Sequence, residues 1–234
     1  MKICSYTLTV DSGFAPNPFH GCCTLAACTP NHMGARLDEG DYLAGFFTVR
    51  GEPYLVYWMK VDGVLDYHAY FTDSQFQKKK PNMNGSWIDR CGDNMYHRDP
   101  TGEWVQEKSP HHHSHEQKKQ DTRHSVVYFG KTFAYFGKES CSQQNRLDPV
   151  LARTVLKKGK GIKYTRDSDP EFARYLRWLQ SKPVGRHADP RDREDACGSR
   201  QLDAALADSS RVTSLQNSYF ESCVSTCCPS ALRQ

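Results

Sequence analysis

The sequence has no long apolar run. Residues 1–30 lack the continuous hydrophobic core of a secretory signal, and no later stretch approaches the length of a membrane span. We therefore expect a cytoplasmic protein without a membrane partner. Hydrophobic residues make up only 38% of the chain. Because no helical or strand period persists over residues 186–234, we predict a domain over residues 1–185 followed by a disordered or loosely attached tail.

The sequence also lacks cysteines at the spacing of a zinc site. The chain has 10 cysteines, but Cys22, Cys23 and Cys28 lack a second paired cluster at the spacing of a zinc finger or zinc ribbon. We therefore predict no metal site, and we predict no cofactor. Without a secretory signal, we expect the cysteines to be reduced thiols. A histidine close to Cys22 or Cys91 would make that thiol a candidate nucleophile.

The charge balance excludes little. The net charge of +4 is compatible with a polyanionic partner but does not require one. Two basic segments add candidates. Residues 109–115 form a histidine tract, in which Asp93 or Asp121 could orient a histidine as a general acid–base, or either could orient His97. Residues 157–163 contain two glycines among lysines, which lets backbone N–H groups approach an anion.

An apolar strand in front of an aromatic, lysine-rich segment is the feature around which the chain is organised. Residues 54–62 alternate, with Leu55 and Tyr57 on one face and Trp58 on the other, and both faces are apolar. We therefore expect an inner strand that is covered on both sides. Residues 66–73 are crowded with aromatic rings and precede three consecutive lysines. Rings beside lysines suit base stacking and phosphate binding, whereas the alternative is core packing with a solvated charged end.

Two loops carry most of the polar candidates. In residues 14–19, two prolines stiffen a loop that places Asn17 between aromatic rings. The loop either presents the Asn17 amide to a planar ligand or plugs the core with its rings. Residues 82–107 show no persistent period, which in a compact domain indicates a functional or disordered loop. Within it, residues 93–97 offer an acceptor, an amide, a stacking face and an imidazole.

The order of the patterns predicts the fold class. Strand patterns between residues 3 and 137 precede helical spacing over residues 148–156 and 172–179. We therefore predict an α+β fold, with a curved, mostly antiparallel sheet or small open barrel and helices packed on it. The second helix should begin at a capping box at Ser168 and end near Ser181.

Several segments match the pattern of a known family. They are Gly13 to Phe19, Gly40-Asp41, Val56 to Asp62, Tyr70 to Phe76, Lys79 to Pro81, Gly92 to His97, Phe133 to Gly137, Gly159 to Lys163 and the helix ending in Trp178-Leu179. With these segments the chain resembles the nucleotide-modification-associated domain 2 family over residues 1–183. The resemblance implies a prokaryotic or phage protein encoded among genes for modified nucleotides and conflicts over foreign DNA, with no established reaction. The family pattern also has a Ser-x-His element near Ser109 to His113.

A second likeness concerns arrangement only. Gly40-Asp41, Val61, Tyr70 and Asp73 follow the order seen in PUA-like domains, which include the EVE and YTH modules. That likeness implies a PUA-like pseudo-barrel that holds a flipped modified base. A shared arrangement does not by itself fix a function.

These observations lead to one function and two alternatives. We predict recognition or processing of a modified base or nucleotide in DNA, with nucleic acid or a nucleotide as the partner. The alternatives are a small-molecule nucleotide-processing enzyme with a His/Asp acid–base pair, and a non-catalytic protein-interaction domain. The predicted base-binding residues are Phe14, Asn17, Phe19, Trp58, Asn94 and Tyr96. The predicted phosphate-binding residues are Lys79, Lys80, Lys160 and Lys163, and the predicted catalytic residues are Asp93, His97 and His113.

Overall fold

The computed structural model describes residues 1–27, 34–112, 114–159 and 161–192. Its strands are β1 (Lys2–Thr7), β2 (Cys23–Leu25), β3 (Tyr42–Val49), β4 (Glu52–Lys60), β5 (Gly63–Leu65), β6 (Tyr96–Arg98), β7 (Trp104–Gln106), β8 (Val127–Gly130), β9 (Phe133–Tyr135), β10 (Ile162–Arg166) and β11 (Gly185–Arg186). Its α-helices are α1 (Tyr67–Thr72), α2 (Trp87–Arg90), α3 (His115–Asp121), α4 (Pro149–Val155) and α5 (Phe172–Gln180). Short 3-10 helices cover Ser74–Lys79, Thr122–His124, Gly137–Glu139 and Gln143–Asn145.

Six strands form the main sheet, in the order β10-β1-β3-β4-β9-β11. β1 runs parallel to β3 and β11 runs parallel to β9, whereas the other neighbours are antiparallel. A three-stranded antiparallel sheet in the order β2-β8-β5 lies beside it, and β6 and β7 form a hairpin. The predicted α+β class and the mostly antiparallel pairing are confirmed.

β4 is the inner strand that the sequence predicts, because it pairs with β3 on one side and β9 on the other. A bulge interrupts it. Leu55 and Tyr57 are two residues apart on β4, but their partners on β3 are adjacent residues, so Val56 is the extra residue. Leu55 consequently packs in the same cluster as Trp58, whereas Val56 and Tyr57 pack in the cluster on the other face. The predicted alternation was therefore wrong before Tyr57, because the extra residue, Val56, resets its phase.

The helices after residue 147 cover one face of the main sheet. α4 and α5 bury apolar side chains in the cluster that contains Trp58. α5 begins after residue 171 without a side-chain cap, so the predicted start at a Ser168 capping box was wrong, whereas the end at Ser181 is as predicted. Its buried side chains are those whose helical spacing predicted the helix, Phe172, Tyr175 and Leu179.

The predicted long loop at residues 82–107 contains regular structure. α2 opens with a reciprocal capping box between Ser86 and Asp89, and the β6-β7 hairpin follows. The aromatic segment before this region forms α1, which begins at an Asp66 cap. These elements are too short to be stable alone, so contacts with distant parts of the chain hold them, and no local period marks them.

Residues 185–192 pack back onto the domain. β11 pairs with β9, and His187 N donates to the Tyr135 carbonyl at 2.9 Å. Asp192 N donates to the Asp11 carbonyl at 2.9 Å, and Asp11 N donates to Asp192 Oδ2 at 2.8 Å. The first residues of the predicted tail thus contact the domain, and the remainder of that prediction lies outside the described residues.

The sequence also led to predictions about membrane-spanning helices and about the cysteines. Within the described ranges, no helix is long and apolar enough to cross a membrane. Cys4, Cys22 and Cys23 are buried free thiols, and Cys141 is an exposed one. Cys91 is disulfide-bonded, so the expectation that every cysteine is reduced was wrong there.

Candidate functional site

Lys79 lies at the centre of a buried polar network. It is 1% exposed, and its Nζ donates to Asn17 Oδ1 at 2.8 Å, to the Asn17 carbonyl at 2.9 Å and to the Cys22 carbonyl at 2.8 Å. Asn17 Nδ2 in turn donates to the Cys91 carbonyl at 2.9 Å. Burial lowers the pKa of Lys79, and the nearby Asp93 carboxylate opposes this shift. An ammonium has three N–H donors, so in this arrangement none remains for a phosphate.

Asp93 and Asn94 dock onto the same network. The Asp93 carboxylate accepts from Thr24 Oγ1 at 2.6 Å and from Tyr70 OH at 2.8 Å. Burial raises the pKa of Asp93, opposed by the nearby lysine ammonium. Asn94 Nδ2 donates to two backbone carbonyls, while its buried Oδ1 has no hydrogen-bond partner among the residues that the structure describes. Like Asn17, these two predicted site residues lie inside the protein and join separate chain segments.

His97 and Lys80 lie together on a different and more exposed face. The His97 ring stacks on Phe71 with centroids 4.2 Å apart, and Lys80 Nζ lies 3.5 Å from the centroid of the same ring. His97 Nε2 lies 3.0 Å from Glu107 Oε1. The group therefore presents a cation and a titratable ring at the surface, with a carboxylate that would oppose a bound anion.

A buried imidazole–carboxylate pair forms where the histidine tract meets α3. His112 Nδ1 lies 2.6 Å from Asp121 Oδ2, and Tyr96 OH donates to the same oxygen at 2.7 Å. The Phe14 ring packs against His112 with centroids 5.2 Å apart and stacks on His111 at 4.4 Å. With Nδ1 bound to the carboxylate, Nε2 is the basic atom of a neutral imidazole. The pair therefore has the chemistry of a general acid–base, and it realises one of the pairings that the sequence left open.

A cleft of about 620 Å³ opens where the turn between β8 and β9 meets β11 and α2. Its apolar lining includes Phe19 and Phe133, and its cations are Lys131 and Arg186. The Arg186 guanidinium carbon lies 5.4 Å from the centroid of the Phe19 ring. Arg186 Nη1 also lies 3.1 Å from Asp189 Oδ1, which holds the guanidinium in place. Of the predicted base-binding residues, Phe19 lines this cleft.

His20 and Asp89 also line the cleft. His20 Nε2 lies 4.0 Å from Asp89 Oδ1, and His20 has left-handed backbone with φ of 58°. Ser86 N and Ser86 Oγ donate to Asp89 Oδ2 at 2.9 Å and 2.6 Å, which fixes the carboxylate. Burial lowers the pKa of His20, assisted by Lys79 and Lys78 and opposed by Asp89.

Trp58 and Lys163 lie away from the cleft lining. Trp58 is 2% exposed and packs beside Tyr42 on the face that the helices cover. Lys163 lies on β10, at the edge of the main sheet opposite β11, and its Nζ donates to the Arg153 carbonyl at 3.3 Å. The structure thus distributes the predicted residues over a buried network, an exposed face, a buried pair, the core and the cleft. His113 and Lys160 lie outside the described residues.

The sequence reasoning missed the charged residues of the cleft. Lys131 occupies the turn between two aromatic strands, and Arg186 lies in the short β11 near the start of the predicted tail. His20 directly follows the loop at residues 14–19, so its position beside a predicted ligand loop was the one available signal. Asp89 carries no signal of its own beyond the Ser86 spacing of a capping box.

Cysteine and metal chemistry have weak support in the described ranges. Burial raises the pKa of Cys22, which disfavours the thiolate that a nucleophile requires. Cys91 is disulfide-bonded and offers no thiol. Across residues 1–27, 34–112, 114–159 and 161–192, no three His, Cys, Asp or Glu side chains gather to hold a metal ion. The cleft itself is lined by rings, cations, an imidazole and a carboxylate.

Comparison with known proteins gives one family match. Nucleotide modification associated domain 2 matches residues 1–197, a range that includes the segment carrying Arg186. No curated protein matches the chain, and neither does any solved structure. The likeness to PUA-like domains therefore stays a prediction. Because the match covers most of the 234 residues, the chain belongs to the nucleotide modification associated domain 2 family.

Proposed function

We propose that this domain recognises or processes a modified base or nucleotide in DNA, in the prokaryotic or phage setting that the resemblance implies. Family membership supports a role linked to nucleotide modification. Within the domain, we assign the ligand to the cleft lined by Phe19, Lys131 and Arg186. Nucleic acid or a free nucleotide is then the partner.

The observation that carries this proposal is the position of Arg186 over the Phe19 ring, with Lys131 in the same cleft. Phe19 is 3% exposed and lies beneath Arg186, whose side chain is 36% exposed, so the guanidinium is the plane on which a base can stack. The two cations add attraction for phosphate. The volume of about 620 Å³ suits one nucleotide and not a duplex. A base within DNA would therefore enter the cleft only from a single strand or after flipping out of the helix.

Binding measurements on cleft variants test the proposal. We would measure fluorescence polarisation of single-stranded oligonucleotides with modified or ordinary bases, and calorimetry with free nucleotides. Arg186→Ala and Lys131→Ala should each weaken binding about fivefold or more and reduce its salt dependence, because each removes a phosphate contact. Lys163→Ala is the matched control, since Lys163 lies at the opposite edge of the sheet. Unchanged binding by both cleft variants, or equal loss in the control, contradicts the proposal.

The contact between His112 and Asp121 favours a second candidate, a nucleotide-processing enzyme. A carboxylate 2.6 Å from Nδ1 orients the imidazole for proton transfer. Modified nucleotides and oligonucleotides would be incubated with the protein and the products analysed by mass spectrometry. Asp121→Asn should then abolish turnover while leaving binding in the cleft intact. Turnover that survives in folded Asp121→Asn protein excludes this candidate.

A further inference from the structure

The imidazole of His20 lines the cleft without a hydrogen-bond partner among the described residues. Asp89 Oδ1 lies 4.0 Å from Nε2, beyond hydrogen-bond distance. The side chain is 20% exposed and the residue as a whole is exposed, so the ring is open both to the cleft and to water. A polar side chain at the wall of a cleft, with no protein group occupying its nitrogens, is a candidate ligand contact.

The backbone at His20 supports the same interpretation. His20 and Gly21 both have positive φ, 58° and 82°, and only the second is a glycine. A non-glycine residue in the left-handed region is uncommon and costs about 1–2 kcal/mol. Such conformations cluster at functional sites, where the rest of the structure holds them in place. Here the conformation carries the imidazole to the cleft.

The charges around His20 define which ligand group it suits. Its pKa is influenced by the ammonium groups of Lys78 and Lys79, on the 3-10 helix Ser74–Lys79, and by the carboxylate of Asp89 on α2. Lys131 and Arg186 line the same cleft from the β8-β9 turn and from β11. Burial, and after it the neighbouring lysines, lower the pKa of the free imidazole, because a further positive charge is unfavourable there. A bound anion reverses that balance.

We propose that His20 is a ligand contact of the cleft, and that it takes up a proton when the phosphate of an unpaired nucleotide binds beside Lys131 and Arg186. Neutral His20 becomes an imidazolium on binding, donates an N–H to a phosphate oxygen, and keeps Asp89 as its second charged neighbour. By linkage, affinity for the phosphate should rise as pH falls. This inference rests on the proposed function, since it assumes that the cleft binds nucleotides.

The test uses the methyl ester of thymidine 5′-monophosphate, because a phosphodiester keeps one negative charge throughout the pH range. Thymidine serves as the probe without phosphate. Affinities of the full chain would be measured by calorimetry between about pH 5.5 and about pH 8 at constant ionic strength. The His20 ring protons would be followed by nuclear magnetic resonance, and assigned by their absence in His20→Gln.

The expected result is tighter binding of the methyl ester at low pH, approaching a limit of about tenfold if binding raises the pKa of the imidazole by one unit. The titration of the His20 ring should move to higher pH when the ester is present and should not respond to thymidine. His20→Gln should bind with no pH dependence, whereas the matched control His124→Gln, at an exposed site, should behave as the wild type.

Two outcomes separate the inference from the proposed function. If Arg186→Ala and Lys131→Ala weaken binding but His20→Gln keeps the wild-type pH dependence, the His20 inference is wrong and the cleft proposal stands. If the ester leaves the His20 titration unchanged and neither cation variant affects binding, both proposals are wrong.

Discussion

At Lys79, three buried oxygens meet the three N–H groups of one ammonium. Lys79→Met keeps the length of the side chain but leaves those oxygens without donors and removes the cation near Asp93. We expect a loss of about 3 kcal/mol or more in the free energy of unfolding, measured with urea. Lys80→Met is the adjacent control and should change stability little, because Lys80 Nζ lies against the Phe71 ring instead. A Lys79→Met protein with wild-type stability but no nucleotide binding would instead support a phosphate-binding lysine.

Asn17 allows a similar comparison. Its side chain donates to the Cys91 carbonyl at 2.9 Å and accepts from Lys79 Nζ at 2.8 Å, with 1% of the residue exposed. Asn17→Ala should cost about 2 kcal/mol or more, because buried groups lose their partners. The exposed Asn84→Ala should stay within about 0.5 kcal/mol of the wild type in the same unfolding measurement. A stable Asn17→Ala protein that fails to bind nucleotides would restore Asn17 as a ligand contact.

On the scale of elements, residues 92–94 pack against the backbone of residues 79–81, and this contact depends on Gly92. A Cβ there would lie 2.4 Å from both the Lys79 carbonyl oxygen and Pro81 N, which are backbone atoms with little freedom to move. Gly92→Ala should therefore destabilise the protein by about 2 kcal/mol or more, measured by thermal unfolding. Gly34→Ala is the control, because a Cβ at Gly34 meets nothing within 4 Å and its φ is not left-handed. If Gly92→Ala leaves the thermal stability nearly unchanged, the backbone around Gly92 has room for a Cβ and the prediction is wrong.

The elements that the sequence predicts well are those with their own apolar period. β4 has apolar residues on both faces, and α5 spaces its buried residues at helical intervals, so both were predictable. The bulge at Val56 was not, because an extra residue leaves no trace in an alternating apolar run. α2 and the β6-β7 hairpin were missed because distant contacts hold them.

The candidate site was predictable only in part, for a related reason. Residue type identifies groups that can bind a nucleotide, but burial decides which of them face a ligand. Asn17 and Lys79 hydrogen-bond to each other inside the protein. Lys131 and Arg186 belong to no local sequence motif, and only the fold brings them into the same cleft. Phe19, a predicted base-binding residue, lines the cleft but is itself 3% exposed.

For the whole molecule, Asp11 links stability to pH. It is 0% exposed; burial raises its pKa to about 6, opposed by the hydrogen bond from Tyr135 OH. A carboxyl with a raised folded-state pKa contributes stability that is full below its unfolded value of 3.8 and is lost as pH rises through about 6. Relative to Asp11→Asn, the free energy of unfolding of the wild type should therefore increase by about 1 kcal/mol when the pH falls from 7 to 5. Urea unfolding at both pH values checks this, and a difference that does not change with pH contradicts it.

The same residue ties the end of the domain to its core. Asp11 exchanges two hydrogen bonds with Asp192, and the Asp189 carbonyl accepts from Lys138 N at 2.9 Å, so residues 185–192 close over the loop that begins at residue 11. A chain ended after residue 183 loses these bonds, β11 and Arg186. We expect it to unfold about 2–4 kcal/mol more easily than a chain ended after residue 197, by urea titration, and to lose nucleotide binding. The longer chain keeps every described contact and the whole family match, so it should retain both properties. Equal stability and binding in the two chains would show that residues 185–192 lie on the domain without supporting it, and would remove Arg186 from the proposed site.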